Sequence, residues 1–279
     1  MRIVSPKPND VFTIASDTTP PAIDVHIDAQ GGVQWSWTLH WRTLSKSGTG
    51  DTNGNWVRIQ PQIADLGGTL TITARAGGHS ASVTVQVIGT NPSLTELRDF
   101  TRPLPQGPDL LLILEHETHG RNFNPGKVHH AQPIVSFDGG YGMAQLTTPR
   151  PTFEQCWSWK ENVRGGIALF ARKRAEAIGN LSRGGRTYTP DQLRRETICR
   201  WNGGVYYEWN GKAWQRPENI LCAPGTGNIG WDMDNPANAG QTLEQLQKRD
   251  GSDYRNPRTR YDNWRYFGVC YVDSLLGGQ

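Results

Sequence analysis

Apolar and polar residues alternate along most of the chain up to about residue 90. Side chains on a β-strand point alternately to the two faces of a sheet, so this alternation indicates strands that bury one face. Glycine-rich segments such as Gly31-Gly32, Gly48–Gly54 and Gly77-Gly78 separate the runs and indicate turns. The predicted inward positions are Ile23, Val25, Ile27, Val33, Trp35, Trp37, Leu39, Trp41, Leu70, Ile72, Ala74, Val83, Val85 and Val87. The pattern predicts an antiparallel β-sandwich over residues 1–90.

From Asn91 onward the pattern changes to helical spacing. Ser93 and Glu96 form a capping-box pattern, and Thr189-Pro190 combines a capping residue with proline at the first helical position. An apolar run at 109–118 follows three prolines and predicts another helix. Further helices are predicted at Val163 to Gly179, Asp191 to Arg200, Thr242 to Lys248 and Arg258 to Leu275. Residues 91–279 are expected to form one mainly helical domain with long polar loops.

The composition narrows the class of ligand. The chain has 279 residues, 11 tryptophans and a net charge of +3, with Lys and Arg dispersed among acids. A nucleic-acid-binding protein more often concentrates its basic residues in one stripe, so nucleic acid is not an expected partner. Tryptophan rings stack on sugars and on bases, and a mildly basic chain suits an acidic polymer such as a bacterial cell wall.

The first ten residues, Met1 to Asp10, contain no apolar segment typical of a secretory signal, and no run is long enough to span a membrane. We therefore expect synthesis in the cytoplasm without a cleaved signal, and no membrane insertion. The cysteines follow no zinc-binding spacing and permit either two disulfides, in any of three pairings, or buried thiols. They are Cys156, Cys199, Cys222 and Cys270.

Two glutamates end the apolar run. Glu117 follows Leu110 and Leu114 at helical spacing, which places its carboxylate in line with the predicted buried face. A carboxyl held against apolar side chains loses solvation, and its pKa rises toward a value suited to a general acid. Spacing alone leaves Glu115 as a second candidate, and an exposed helical position is an equally good explanation for either glutamate.

A glycine-rich turn begins at Gly140. Gly140 and Gly142 would let the backbone approach a sugar where a Cβ would intrude, and Gln145 offers both a donor and an acceptor. Tyr141 is a candidate for stacking on a sugar face, although a core or rim position is the commoner role for such a ring. Asp138 precedes the turn as a second carboxylate, although an aspartate here more often caps its own turn.

Histidines near Glu117 raise a metal-binding alternative. His116-Glu117-Thr118-His119 resembles the zinc-peptidase pattern His-Glu-x-x-His, but its histidines are one residue too close to share a helix face. His129-His130 lies downstream. Asp51–Gly54 and Asp232–Asn235 resemble calcium loops weakly, yet neither has the distal glutamate, and both are interpreted as turns. No metal and no cofactor are predicted.

Four short motifs occur in the order found in the lysozyme-like soluble lytic transglycosylases. They are Glu117-Thr118, Phe123-Asn-Pro125, Gly142-Met-Ala-Gln145 and Trp201-Asn-Gly-Gly204. In that family a Glu-Ser pair leads to Asn-Pro, then to Gly-Leu-Met-Gln, then to Ala-Tyr-Asn-Ala-Gly. Residues 159–166 also resemble the family's Asn-Ile-x-x-Gly helix start, so the resemblance covers residues 94–276. The whole chain is then expected to be a multidomain α+β protein, an Ig-like antiparallel β-sandwich followed by a mainly α-helical lysozyme-like domain.

The resemblance implies that Glu117 is the single catalytic acid and base. As an acid it protonates the glycosidic oxygen between N-acetylmuramic acid and N-acetylglucosamine of peptidoglycan. As a base it takes a proton from the muramic acid 6-hydroxyl, which gives a 1,6-anhydro product. The substrate-binding residues implied are Thr118, Tyr141, Gly142, Met143, Gln145, Trp201 and Asn202. The alternatives are a hydrolytic muramidase, which uses water or a second carboxylate such as Asp138, and a non-catalytic glycan-binding or baseplate protein.

The chain departs from the family at several positions. Thr118 replaces serine but keeps the hydroxyl, Ala144 stands where methionine is usual, and His119–Arg121 are extra residues. Trp201 replaces tyrosine, and Gly203 replaces alanine. Long inserts at 120–138 and 205–256 leave the substrate details open.

A wall-cutting enzyme without a signal needs another route to its substrate. Type VI secretion as an antibacterial effector, or assembly into a phage tail, is expected to bring it to the periplasm or cell wall of a target cell. The N-terminal sandwich is then a docking, delivery or wall-binding module that contacts a secretion or tail component. A cognate immunity protein is the expected partner of a secreted effector.

Overall fold

The chain is a mixed α+β protein that divides into two compact units, Met1–Ile167 and Ala168–Gln279. A computed structural model describes residues 1–59, 63–125, 131–223, 229–250, 265–266 and 268–277. The division falls inside a long helix, Trp159–Leu181. The sequence predicted a domain boundary near residue 90. The change from strands to helices does occur there, between Ile88 and Leu94, but the division between the compact units does not.

Two sheets of the first unit share one hydrophobic core. The strands are β1 (Arg2–Ser5), β2 (Val11–Thr13), β3 (Asp24–Asp28), β4 (Val33–Trp41), β5 (Leu44–Thr52), β6 (Trp56–Arg58), β7 (Gly68–Ala76) and β8 (His79–Ile88). One sheet has the order β2-β8-β7-β4-β5, the other β1-β3-β6, and every pair except the parallel β2–β8 is antiparallel. Each residue that the alternation predicted to point inward is buried in this core. That prediction is confirmed.

The turn predicted at Gly48–Gly54 is wrong for its first five residues, because residues up to Thr52 belong to β5 and pair with β4. A bend at residues 53–55 then leads to β6. The glycines face the indoles of β4. A Cβ on Gly48 would lie 2.6 Å from Nε1 of Trp37, and a Cβ on Gly50 would lie 2.5 Å from Cζ2 of Trp35. The glycines therefore make room for buried tryptophans.

The first unit also contains helices, at Leu94–Thr101, Gly107–Thr118 and Phe153–Trp157, and the start of Trp159–Leu181. The capping box at Ser93 and Glu96 is confirmed. Phe123 and Trp157 are buried in the same core as the two sheets, and Nε1 of Trp159 donates to the Ser16 carbonyl at 2.5 Å. This shared core explains why the unit extends beyond the strands.

The second unit is mainly helical. After residue 168 it comprises the rest of Trp159–Leu181, the 3₁₀ turn Arg183–Gly185, and the helices Pro190–Trp201, Leu243–Arg249 and Gly268–Leu276. Its short strands are β9 (Glu208–Trp209), β10 (Trp214–Gln215), β11 (Ile220–Cys222), β12 (Ile229–Asp232) and β13 (Arg265–Tyr266). The predicted caps at Thr189 and Thr242 are confirmed. The final helix was predicted from Arg258, and residues 258–264 lie outside the described residues.

Only one of the two permitted disulfides forms. Cys222 and Cys270 are bonded, while Cys156 and Cys199 are buried thiols. Of the helices in the described residues, none is both long and apolar enough to cross a membrane.

Candidate functional site

Glu117 lies at the end of the Gly107–Thr118 helix, and it is exposed. The prediction that the protein desolvates this carboxyl is therefore wrong. Leu110 and Leu114 are buried as expected, but the next buried position on their face is Thr118, four residues after Leu114. The helix ends there, with His119 in the left-handed region at φ +54°, so no further turn covers Glu117.

Glu115 is part of an ion pair with Arg98. The guanidinium Nε donates to one carboxylate oxygen at 2.7 Å, and a terminal nitrogen donates to the other at 3.1 Å. These bonds raise the pKa of Arg98 above its ordinary value, because they favour the charged guanidinium. Glu115 therefore joins the Gly107–Thr118 helix to the preceding one.

Thr118 connects the helix end to the glycine-rich turn. Its hydroxyl is buried and lies 3.0 Å from the Leu114 carbonyl and 3.4 Å from the Met143 carbonyl. The Thr118 hydroxyl therefore joins the end of the helix to the glycine-rich turn through Met143. Glu117, one residue earlier, lies at this junction.

Two buried asparagines hold the turn from the other side. The Asn122 amide accepts from the Met143 N–H at 3.2 Å and donates to the Cys156 carbonyl. Asn162 accepts from the Ala144 N–H at 2.8 Å and donates to the Tyr141 carbonyl at 3.0 Å. Both side chains are fully buried. Side-chain amides thus hold the turn together with its backbone hydrogen bonds.

The two glycines of the turn are required by this packing. Gly142 has φ +70°, and a Cβ there would lie 2.2 Å from Nδ2 of Asn162 and 2.4 Å from Oδ1 of Asn122. A Cβ on Gly140 would lie 2.8 Å from Oγ of Ser136. The neighbouring side chains are sufficient to explain both glycines, without a sugar.

The other predicted residues of the turn differ in accessibility. Met143 is fully buried, which leaves its side chain no surface for a ligand. Gln145 is half-buried, and its Nε2 donates to the Gly142 carbonyl at 2.9 Å. Tyr141 is half-buried with its ring edge-on to Trp41, the centroids 5.9 Å apart, as expected of a rim aromatic. Gln145 and Tyr141 therefore keep surface on which a ligand can bind.

Asp138 caps its own turn. Its Oδ1 accepts from the Ser136 hydroxyl and from the Gly140 N–H, the latter at 3.4 Å. This is the commoner role that the sequence suggested for an aspartate before two glycines.

Trp201 and Asn202 belong to the second unit. Trp201 ends the Pro190–Trp201 helix with its ring tilted against Phe170 at 6.0 Å. Among the described residues, Nδ2 of Asn202 is buried without a hydrogen-bond partner. Buried Glu196 accepts the Tyr206 N–H at 2.8 Å and thereby anchors the loop that follows.

No family model, curated protein or solved structure matches the chain.

Metal ligands do not gather in the described residues. No group of three or more His, Cys, Asp or Glu side chains there is arranged to hold an ion. His129-His130 lies outside the described residues. A concavity of about 710 Å³ at one end of the larger sheet is lined by residues such as Gln34, Asp51 and Arg75, and by none of the predicted site residues.

The sequence prediction missed the asparagines that build the site. Asn91 accepts from the backbone N–H groups of Asn122 and Phe123, each at 2.8 Å, and so joins a set of three with Asn122 and Asn162. A signal existed for Asn162, which occupies the asparagine of the predicted helix-start motif. Asn91 and Asn122 stand in polar loops, where nothing in the local pattern marks a buried amide.

Proposed function

We propose that the protein cleaves peptidoglycan glycan strands between N-acetylmuramic acid and N-acetylglucosamine, with Glu117 as acid and base. One observation carries the proposal: three of the motifs meet in space. Thr118 bonds to Met143 of the turn, and Asn162 of the helix-start motif bonds to the turn from the other side. Motifs that are separate in sequence thus converge beside one exposed carboxylate.

The ion pair of Glu115 supports Glu117 as the acid. Glu115 uses both carboxylate oxygens on Arg98, so protonation of a leaving group by Glu115 would first require that pair to break. Glu117 is exposed at the helix end, where a bound glycan can reach its carboxylate. Because the protein itself does not cover Glu117, we propose that the bound glycan excludes water and raises the pKa of this carboxyl in the complex.

The state of Asp138 favours the lytic outcome over hydrolysis. A hydrolytic enzyme uses a second carboxylate to activate water or to form a glycosyl intermediate. Asp138 instead accepts hydrogen bonds within its own turn. A single acid that returns the sugar's own 6-hydroxyl to the anomeric carbon needs no second carboxylate.

Product analysis of digested sacculi tests the proposal. Wild type is expected to release 1,6-anhydro muropeptides, and Glu117→Gln to reduce the release by about 10²–10⁴-fold, as for loss of a general acid–base. Glu115→Gln, two residues away on the same helix, is the matched control and is expected to give the same products as wild type. Reducing-end products would indicate a muramidase. No release from a folded wild type would favour the non-catalytic glycan-binding protein, and loss in Glu115→Gln alone would overturn the assignment.

The finer classification and the biological setting are proposed on the same basis. The two sheets that share a core support an Ig-like sandwich, and the order of motifs supports a lysozyme-like domain. We further propose Gln145 and Tyr141 as substrate contacts, because each keeps accessible surface. For Trp201 and Asn202 of the second unit, the order of motifs alone supports that role. Delivery by a type VI apparatus or a phage tail to a target cell wall, and neutralisation by an immunity protein, remain predictions.

A further inference from the structure

The outer face of the β1-β3-β6 sheet carries one large exposed aromatic side chain. Trp56 on β6 is 61% exposed, although its strand neighbour Val57 is buried in the core. It lies opposite His26 of β3 in the sheet register. A tryptophan this exposed is unusual for a structural side chain, because a large ring contributes little to stability in water.

The indole of Trp56 is held in a fixed orientation. The His26 ring stacks on it with the centroids 4.4 Å apart and the planes 7° from parallel. One face of the indole is therefore covered by a rigid strand residue while the other remains open. The exposed part of the indole faces solvent. A ligand that stacks on this ring would meet a surface already ordered, which lowers the entropic cost of binding.

Two ion pairs flank the ring on the same sheet face. Arg58 donates to both oxygens of Asp24, at 2.6 and 2.8 Å, and Arg2 donates through Nε to Asp28 at 3.1 Å. The bonds from Arg58 lower the pKa of Asp24, so this carboxylate stays charged near neutral pH. The side chains of Arg2 and Asp28 are 76% and 61% exposed. The sheet register therefore places exposed guanidinium and carboxylate groups on either side of the His26–Trp56 pair along β3.

This arrangement selects among ligand classes. Two arginines and two aspartates cancel, so the face has no excess charge to attract a nucleic acid, an anionic lipid or a basic peptide. The ring is surrounded by charged side chains, whereas the centre of a protein interface needs a larger apolar patch depleted of charge. A sugar ring fits both features, because it has an apolar C–H face for stacking and hydroxyls at its edge.

We propose that this face is a saccharide-binding site in which the open side of Trp56 stacks on a pyranose ring of an uncharged or N-acetylated glycan. Asp24, Asp28, Arg2 and Arg58 bind the hydroxyl and acetamido groups at the ring edge. The site is separate from Glu117 and does not depend on the proposed cleavage, since binding here involves no bond breaking.

Titration with tetra-N-acetylchitotetraose, followed by the indole ¹H–¹⁵N resonance of Trp56, tests the site. The full chain carrying Glu117→Gln is used to prevent turnover, and the resonance is assigned by its absence in Trp56→Phe. A saturable shift of this resonance is expected. Arg58→Ala and His26→Ala both keep the Trp56 resonance, and each is expected to raise the dissociation constant about tenfold, the equivalent of 1.4 kcal/mol. Arg75→Ala, an exposed arginine on the other sheet, is the matched control and is expected to change nothing.

Three outcomes would overturn the site. The Trp56 resonance could stay unmoved at millimolar saccharide, or respond to a sulfated heparin tetrasaccharide and not to the neutral sugar. The third outcome is a shift of the Trp56 resonance whose dissociation constant changes by the same factor in Arg58→Ala and in the control Arg75→Ala. None of these results bears on whether Glu117 cleaves sacculi, so failure of the site and failure of the proposed cleavage are distinguishable.

Discussion

Asparagine side chains add to a few backbone bonds in fixing the turn at the candidate site. Asn122 and Asn162 each bond to backbone groups of the turn and of the segment before the long helix, where only isolated β-bridges supply other partners. Buried amides are stabilising only when their hydrogen bonds are made, so these residues strongly constrain what can pack beside them. Gly142 is the position where this constraint is tightest.

Gly142→Ala is expected to destabilise the fold by about 2–5 kcal/mol, because it combines a left-handed backbone with a steric clash against both amides. Gly139→Ala is the matched control. Gly139 also has positive φ, at +86°, but nothing lies within 4 Å of its added Cβ, so a loss of only about 1–2 kcal/mol is expected. Urea unfolding of both variants measures the difference. Equal losses in the free energy of unfolding would mean that Asn122 and Asn162 can move away from the added Cβ without destabilising the fold.

Asp250 is expected to make stability depend on pH in the acid range. Burial raises the pKa of Asp250, but hydrogen bonds from Arg249 and from the Trp231 indole, at 2.8 Å, outweigh it, and the folded pKa lies below the ordinary 3.8. A lowered folded pKa stabilises the protein above the unfolded value, and this stability is lost as pH falls below about 4.

Thermal unfolding of wild type and Asp250→Asn between pH 2.5 and 6 checks this. Wild type is expected to gain Tm as pH rises through this range, and the variant to gain less. Parallel curves would show that other carboxylates cause the acid dependence.

Among the elements, strands and helices with clear periodicity were predicted well, and those defined by long-range packing were missed. The alternation of β3, β4, β7 and β8 is visible because one face of each is buried by apolar side chains. β5 has glycines where it faces the core, since the β4 indoles fill that space, so its sequence looks like a turn. At the site, the sequence marked Thr118 and the glycine-rich turn as site residues. It wrongly predicted that Glu117 is buried, because the burial of a residue at a helix end depends on what packs beyond that end.

The reactivity of the cysteines reports on the packing of the elements that carry them. Burial raises the pKa of Cys156 to about 12 and also raises that of Cys199, so both thiols stay protonated and unreactive in the native protein. Titration with a thiol reagent is expected to detect no thiol before unfolding, two in denaturant, and four after reduction. Cys222→Ser with Cys270→Ser should leave the count in denaturant at two. Four thiols in denaturant without reductant would contradict the Cys222–Cys270 bond.

In the chain as a whole, the compact units do not follow the types of secondary structure. The sequence predicted a boundary at 90, where strands give way to helices, but the sheet core continues through Phe123, Phe153 and Trp157. Periodicity reports which face of an element is buried and not which partner buries it, so a boundary drawn from it stays uncertain in position. The consequence is that Trp56 and Glu117 belong to one unit, Met1–Ile167.

A saccharide site in the same unit as the proposed acid is expected to matter on an insoluble polymer and not on a soluble fragment. Binding at Trp56 would keep the protein on the wall and raise the effective concentration of glycan near Glu117, whereas a short fragment gains nothing from a second site. Trp56→Ala is therefore expected to lower product release from sacculi about tenfold and to leave the rate on soluble glycan tetrasaccharides unchanged. Arg75→Ala, on the other sheet, should match wild type on both substrates. An equal loss on sacculi and fragments would mean that Trp56 is needed for folding or for glycan cleavage itself, and would contradict a separate binding role.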